Sequence, residues 1–382
     1  MTAPASIPAR STWLQRFLLP GFAFKAVVIG GGYATGRELA EFFLPSGPVG
    51  GLAAILLAMA IWSLVCAVTF SFAHATRTYD YRSFFQELLG PFWIAFEVAY
   101  VLFVVLILSV FGAAAGAIGA ATLGLPPLVG TLALAAAIAL VATFGNASVE
   151  RLFKYVTFLL YGVYALFVVL ALTRFGDRIA HAFTLPAPTA GWAMGGLTYA
   201  SYNVVGAVVI LPVMRHLTSR RDAVIAGVVA GPMAMLPALL FFICMVAFYP
   251  GIAALALPSD FLLQQLRIPV FHLLFQAMIF AALLESGTGS VHAINERVAA
   301  VWRHRRGVDL SHRARGGIAA ALLILCIFVA DRIGLIALIG SGYRYLAYAL
   351  LAVYIVPLLT LGVARLIRHG DDASADGVSE PA

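Results

Sequence analysis

Charged side chains are scarce. They make up 11% of the 382 residues, against 62% hydrophobic, and mean hydropathy is +0.98. This scarcity excludes a soluble domain, whose exterior would be as apolar as its core, and leaves lipid as the solvent. Polar–apolar alternation is also lacking, which excludes a transmembrane β-barrel. The three cysteines, Cys66, Cys244 and Cys326, sit singly in apolar runs with no metal or disulfide spacing, so packing residues are expected there. No small-residue cleavage pattern accompanies the first apolar run, which therefore reads as a span. No helix carries a His pair at i, i+4, no G-x-S-x-G is present, and no glycine run leads into Lys-Ser or Lys-Thr. The usual signatures of an intramembrane enzyme and of ATP as driver are thus missing, and neither enzymatic chemistry nor a cofactor is expected.

What is there is a series of apolar runs. At roughly 20 residues per crossing, the chain accommodates about ten transmembrane helices. They are placed at Leu18–Leu44, Val49–Ala73, Phe92–Ala121, Leu128–Phe144, Leu152–Arg174, Gly191–Met214, Ala223–Tyr249, Pro269–Trp302, Gly317–Ala330 and Tyr345–Ile367. The expected class is an all-α polytopic membrane protein. Thr76–Gly90 mixes charge with aromatics and reads as an amphipathic helix on the membrane surface. Gly334–Ile339, between the last two spans, reads as a short re-entrant or interfacial helix. Residues 1–17 and 368–382 are expected as cytoplasmic tails, the second disordered.

The net charge of +7 has a plain reading. With the N-terminus in the cytoplasm, most Lys and Arg fall in cytoplasmic loops, as the positive-inside bias requires. The decisive loop carries Arg297, Arg303, Arg305, Arg306, Arg313 and Arg315, and Arg215, Arg220 and Arg221 agree. Both termini are then inside a bacterial inner membrane. The arginines set orientation, and no nucleic-acid partner is expected. The expected partners are lipid and a small-molecule solute.

The first span holds Gly30-Gly-Gly-Tyr-Ala-Thr-Gly36. Three consecutive glycines cost about 3 kcal/mol of helix propensity against alanine. Backbone freed at this depth needs protein, water or ligand as partner. A break offers N–H groups to an anion and carbonyls to a cation, which is how secondary transporters build a joint site. The sixth span has a counterpart, Gly195-Gly-Leu-Thr-Tyr-Ala-Ser-Tyr-Asn203, followed by Gly206 and Pro212. Tyr33-Ala34-Thr35 and Tyr199-Ala200-Ser201 match. Breaks in spans one and six, with five spans per half, point to an inverted five-plus-five repeat, residues 18–174 and 191–367 within a transporter domain of 18–367. Close packing at glycine is the competing reading of each break.

Ionisable residues inside spans are functional candidates. Arg37, Glu38 and Glu41 lie just past the first break, Glu97 is early in the third span, and Glu285 is in the eighth. Glu285, Thr288, Gly289, His292 and Glu296 share one helical face. Ser286, Thr288 and Ser290 offer hydroxyl oxygens, the ligand type that a hard cation takes.

Gly30–Phe43, Tyr199–Asn203 and Glu285–Val298 resemble the signature segments of the YkvI-like family of bacterial membrane proteins. That family is grouped with the amino acid–polyamine–organocation superfamily, which shares the leucine-transporter fold. The resemblance spans Leu18 to Ile367. It implies a solute carboxylate at Gly30, Gly31, Gly32 and Thr35, and Na⁺ at first-span carbonyls near Val28 and Gly31 with Thr288 and Ser286 or Ser290. Tyr33, Tyr199, Ser201, Tyr202 and Asn203 complete the expected solute site, with Tyr100 and Phe103 as aromatic neighbours. Arg37, Glu38, Glu97, Lys154 and Glu285 are the candidates for coupling and gating. Some relatives replace Na⁺ by a fifth-span lysine; here Lys154 sits at the start of that span, so Na⁺ and H⁺ both stay open. A channel and a non-transporting sensor on the same scaffold are the alternatives. Uphill uptake that collapses with the ion gradient separates a transporter from a channel.

Overall fold

The computed structural model describes residues 11–28, 31–144 and 147–368; the side chains of 143–158 and 304 are not described. The chain is an α-helical membrane protein. Among the described residues, seven helices are long and apolar enough to cross a membrane, and Leu19–Val28 and Pro127–Ala142 are shorter apolar helices.

The helices run in chain order. The short α1 (Trp13–Phe17) leads into the first span, built of α2 (Leu19–Val28), α3 (Gly31–Ala34) and α4 (Arg37–Phe42). Then come α5 (Gly47–Thr76), α6 (Tyr81–Leu89), α7 (Trp93–Leu123), α8 (Pro127–Phe144) and α9 (Ala147–Thr184). The second half holds α10 (Trp192–Asn203), α11 (Val205–Val209), α12 (Arg220–Val246), α13 (Pro258–Leu266), α14 (Pro269–Arg306) and α15 (His312–Ile333). The last helix, α16 (Leu335–Arg368), includes three π-helical turns.

Local sequence explains many of the ends. Asp80 accepts from the backbone N–H of Arg82 and Ser83 and caps α6; Ser219 and Ser311 cap α12 and α15 in the same way. Gly124 and Gly307 end α7 and α14 in the left-handed conformation. Small residues then let helices approach closely, since lipid gives no hydrophobic drive between them. α5 and α12 form the most extensive pair. A Cβ on Gly227 would lie 2.3 Å from the Ala67 Cα, and one on Gly231 2.6 Å from the Met59 carbonyl oxygen. Cys66, Cys244 and Cys326 are buried free thiols within this packing.

The arginine-rich end of α14 and start of α15 mark one end of the bundle, here called the basic end. The α4–α5 turn and α13 lie at the opposite, far end. Arg16 on α1, inside the expected tail, makes a two-pronged pair with Asp222 at the start of α12, at 2.8 and 2.7 Å. The tail from 371 onward lies outside the described residues.

Three expectations are corrected. Gly334–Ile339 is no separate re-entrant element: α16 starts at Leu335, ten residues before the expected Tyr345, because Gly334 ends α15 and an apolar helix resumes at once. α6 buries Phe84, Phe85 and Leu88, with Phe85 stacked on Phe96 at 3.6 Å, so that face meets protein rather than lipid. Gly195 and Gly196 do not interrupt the sixth span. They lie inside α10, where Cβ atoms would come 2.1 Å from the Phe42 carbonyl oxygen and 2.5 Å from that of Ala54. Close packing is their role, and the interruption falls after Asn203.

Candidate functional site between the two broken helices

The first break is made at Gly36. Its φ of +77° interrupts the helix between α3 and α4, and a Cβ there would meet the Phe241 ring at 2.6 Å. Only glycine suits both constraints. The Arg37 backbone N–H donates to the Thr35 hydroxyl oxygen at 3.2 Å, and the Thr35 carbonyl accepts from the Ser259 N–H at 3.0 Å. The second break separates α10 from α11 and continues into a 3₁₀ segment, Leu211–His216, at Pro212. Trp62 on α5 donates its indole N–H to the Ala200 carbonyl at 3.1 Å and fixes α10 next to this break.

The two breaks meet at one polar contact. The Tyr202 hydroxyl donates to Oε2 of Glu38 at 2.6 Å. Glu38 is 5% exposed. Around it, the Tyr202 ring lies 4.4 Å from that of Tyr343 and 5.6 Å from that of Tyr199, while Phe42 is 5.7 Å from Tyr202. Tyr33 shares a hydrogen bond of 3.1 Å with Tyr164 on α9, whose hydroxyl donates to the Pro237 carbonyl at 2.9 Å. Arg37 does not pair with the adjacent Glu38. Its guanidinium donates to Glu41 at 2.6 Å and to the carbonyls of Ala253 and Leu255 at 2.7 and 2.9 Å. Residues four apart share a helix face, and adjacent ones point apart by roughly 100°.

The far end is closed over this contact. Arg37 holds the Ala253–Leu255 segment, and α13 is bonded to the break through Ser259. Behind it Asp260 accepts from Gln264 and Gln276 and pairs with His272, each at 2.7 Å. The basic end is looser. A pocket of about 310 Å³ lies there, lined among others by Tyr81, Tyr100, Val208, Pro212 and Arg297. Arg297 lies 3.5 Å from the ring centroids of both Tyr81 and Tyr100 and donates to Glu97 at 2.9 Å.

Over 333 residues the chain is 23% identical to the uncharacterized membrane protein YkvI of Bacillus subtilis, covering 87% of this chain and 92% of that protein. No family model matches the chain. Among solved structures it is similar to MhsT in complex with L-phenylalanine, with a TM-score of 0.61 and 15% identity over 94% of this chain and 98% of that one. A Na⁺-coupled sialic acid symporter gives 0.60 and 13%, covering 92% and 82%. A manganese transporter of Eremococcus coleocola gives 0.59 and 14%, covering 92% and 80%. The chain has the leucine-transporter fold. These neighbours are transporters; at such identities the likeness is one of fold.

Within the leucine-transporter fold, the expected residues separate into groups. Tyr33, Thr35, Tyr199, Ser201 and Tyr202 are buried beside the breaks. Ser201 donates to the Leu197 carbonyl at 2.6 Å and Asn203 to that of Tyr199 at 3.1 Å, so both bond to their own helix. Gly31 begins α3 and Gly32 follows it; Gly30 and the Lys154 side chain lie outside the described residues. Val28 is the buried last residue of α2, and α14 packs on α3. On α14, Ser290 donates to the Ser286 carbonyl at 2.9 Å, whereas the buried Thr288 hydroxyl oxygen has no partner among the described residues. Glu285 is half-buried near Tyr161 on α9. His292 and Glu296 are exposed, the latter paired with Arg315. Tyr100 belongs to the basic-end pocket, away from the Glu38 contact.

Sequence reasoning missed three features. Arg297 was read only for orientation. The cluster of Asp260, His272 and Gln276 went unnoticed, although His272 and Gln276, four apart at the head of an apolar span, were a usable signal. Lys25, within the first span, places its ammonium 4.1 Å from the Tyr161 ring centroid.

Proposed function

We propose that the protein is a secondary transporter of a small solute, an amino acid or another small carboxylate, working by alternating access in a bacterial inner membrane with both termini cytoplasmic. The observation that carries this reading is the meeting of two broken helices at Glu38 and Tyr202, under a closed far end and above a basic-end pocket. A break at membrane depth is tolerated where it lines a site, and rocking of one bundle against another exposes such a site to each side in turn. In the proposed orientation the basic end faces the cytoplasm, and the pocket is the inward vestibule.

The solute carboxylate is assigned to the backbone around Gly30, Gly31, Gly32 and Thr35, and its body to Tyr33, Tyr199 and Tyr202. Na⁺ is the preferred coupling ion. In support, Thr288 presents a buried, unpartnered hydroxyl oxygen, and α14 packs on α3. A hard cation takes neutral oxygens of this kind. Val28 and Gly31 would add carbonyls. Ser290 donates its proton to the Ser286 carbonyl, which leaves its oxygen lone pairs available to a cation, so Ser286 and Ser290 stay in the candidate set. H⁺ coupling through Glu285, Glu97 or Lys154 is the rival, and the pairing of Glu97 with Arg297 weakens that member of it.

Ligand screening by thermal shift in Na⁺ and in K⁺, at fixed pH and ionic strength, tests the reading. Thr288→Val keeps the shape and removes the oxygen, so it should abolish the Na⁺-dependent part of binding. Equal binding in Na⁺ and K⁺ removes the ion site. Uptake into proteoliposomes that does not respond to any imposed ion gradient removes the transporter reading. Cysteines at Arg303 and Asp260 should label from opposite sides, the first from the cytoplasm.

A further inference from the structure

Among the described residues, Glu38 is the carboxyl group placed where the two broken helices touch, and its surroundings do not balance a negative charge. It is 5% exposed, at the depth of the breaks. Among the described residues it has no ion pair, and Arg37, the nearest cation in sequence, is engaged by Glu41 and two carbonyls. Tyr202 gives a single hydrogen bond to one of its two oxygens. An ionised carboxylate has room for about four such bonds. Burying one with so little compensation costs several kcal/mol, and intramembrane carboxylates are kept where a partner arrives.

We propose that the partner is a positively charged nitrogen of the transported solute: Glu38 is the ammonium contact, so the site takes amines or amino acids and rejects plain carboxylates. This rests on the transporter reading above and names its substrate class. The walls favour an organic cation. Phe42, Tyr199, Tyr202 and Tyr343 surround the carboxyl with rings, whose faces attract cations and whose bodies pack against hydrocarbon. The oxygens near Glu38 among the described residues are tyrosine hydroxyls rather than the carbonyls and carboxylates that hard cations prefer, while the Thr288 oxygen lies on another helix. The proposed approach is from the basic end. The basic-end pocket is lined by Val208 and Val209, six and seven residues beyond Tyr202 on the same broken helix, about 10 Å along its axis.

The test uses the full-length protein in nanodiscs, with thermal shift and intrinsic fluorescence as readouts, at fixed Na⁺ and pH. The probes are two matched sets: L-leucine, isoamylamine and isocaproate; L-phenylalanine, phenethylamine and hydrocinnamate. The ammonium-bearing members of at least one set should bind, and the carboxylate-only member should bind at least roughly tenfold more weakly. Glu38→Gln should weaken ammonium binding by at least roughly tenfold while the Na⁺ response of the empty protein persists. Should Glu38→Gln not fold, Tyr202→Phe keeps the carboxyl, removes its hydrogen bond, and should shift the ratio of amine affinity to that of the matched carboxylate-only probe; an unchanged ratio overturns the inference. The inference is overturned if no ammonium compound binds, if carboxylate-only probes bind as well as the amino acids, or if Glu38→Gln leaves amine affinity intact. It is also overturned if Glu38→Gln removes only the Na⁺ or the pH response, which would make Glu38 an ion or proton site. Carboxylate-only compounds that bind and show counterflow in proteoliposomes overturn the ammonium contact and leave the transporter reading standing. Bound amines with no counterflow do the reverse.

Discussion

At the far end of the bundle Arg37 is tied to two backbone carbonyls and one carboxylate, and the N–H of Ser259 is tied to the carbonyl of Thr35. At the basic end Arg297 is held by side chains alone, the rings of Tyr81 and Tyr100 and the carboxylate of Glu97. Both are single arginines closing a gap between distant segments, but they are closed by different means. Side-chain contacts release through rotamer changes. The backbone-to-backbone bond from the Ser259 N–H to the Thr35 carbonyl releases only when α13 and the first break move apart. The far end is therefore the deeper-locked of the two in this conformation, and opening it requires displacing Ala253–Leu255 and α13 as one piece.

The sharpest way to break that contrast is Arg37→Ala. It leaves Glu41 and two carbonyls without their donor, and breaking a buried pair costs about 3–5 kcal/mol. The expected result is a lowered melting temperature in detergent and new far-side labelling of a cysteine placed at Ser259; unchanged labelling would show that the clamp is not what closes this end. Gly195→Ala comes next. Its Cβ would sit 2.1 Å from the Phe42 carbonyl, a backbone atom that cannot swing aside, so α10 must leave α4 at a cost of about 3 kcal/mol. Loss of folded protein on size-exclusion chromatography measures it, and a variant as stable as wild type would disprove the close seam.

Arg297→Ala should cost less, about 2 kcal/mol, because Glu97 keeps some access to solvent while two ring contacts and a charged hydrogen bond are lost. Its signature is directional: faster basic-end labelling of a cysteine at Val208 with no change at Ser259. Arg303→Ala stands at the bottom of the series. Arg303 and Asp309 are both more than half exposed, so their pair should be worth no more than about 0.5 kcal/mol and neither end should respond.

The regularities that sequence carries are local, and so is what could be read from it. Apolar runs located the spans, the segment around Asp80 located α6, and the glycine-rich first span announced a break. The sixth-span break was found in the right helix but misplaced. Gly195-Gly196 carries the same local signal as a break, and only the arrival of Phe42 and Ala54 makes those glycines packing residues. In sequence Arg37 adjoins Glu38, whereas helix geometry gives it to Glu41. The contact between Tyr202 and Glu38 joins residues 164 apart in the chain, beyond any periodicity. Much the same holds for Arg297, whose place in an arginine-rich loop hid its position between two tyrosines.

Sequence by itself determined that this chain lives in lipid as helices with two interrupted spans. The reason is that hydrocarbon offers backbone groups no partner, so each apolar run must satisfy its own hydrogen bonds and each glycine-rich lapse must find help. Tertiary structure decided which charges are compensated. Arg37, Glu41, Glu97 and Arg297 gain partners through helix faces and long-range packing, while Glu38, one residue from an arginine, is left with a tyrosine. Charge compensation depends on distances of a few ångströms between segments far apart in the chain, and no run of residues encodes those distances until the helices have packed.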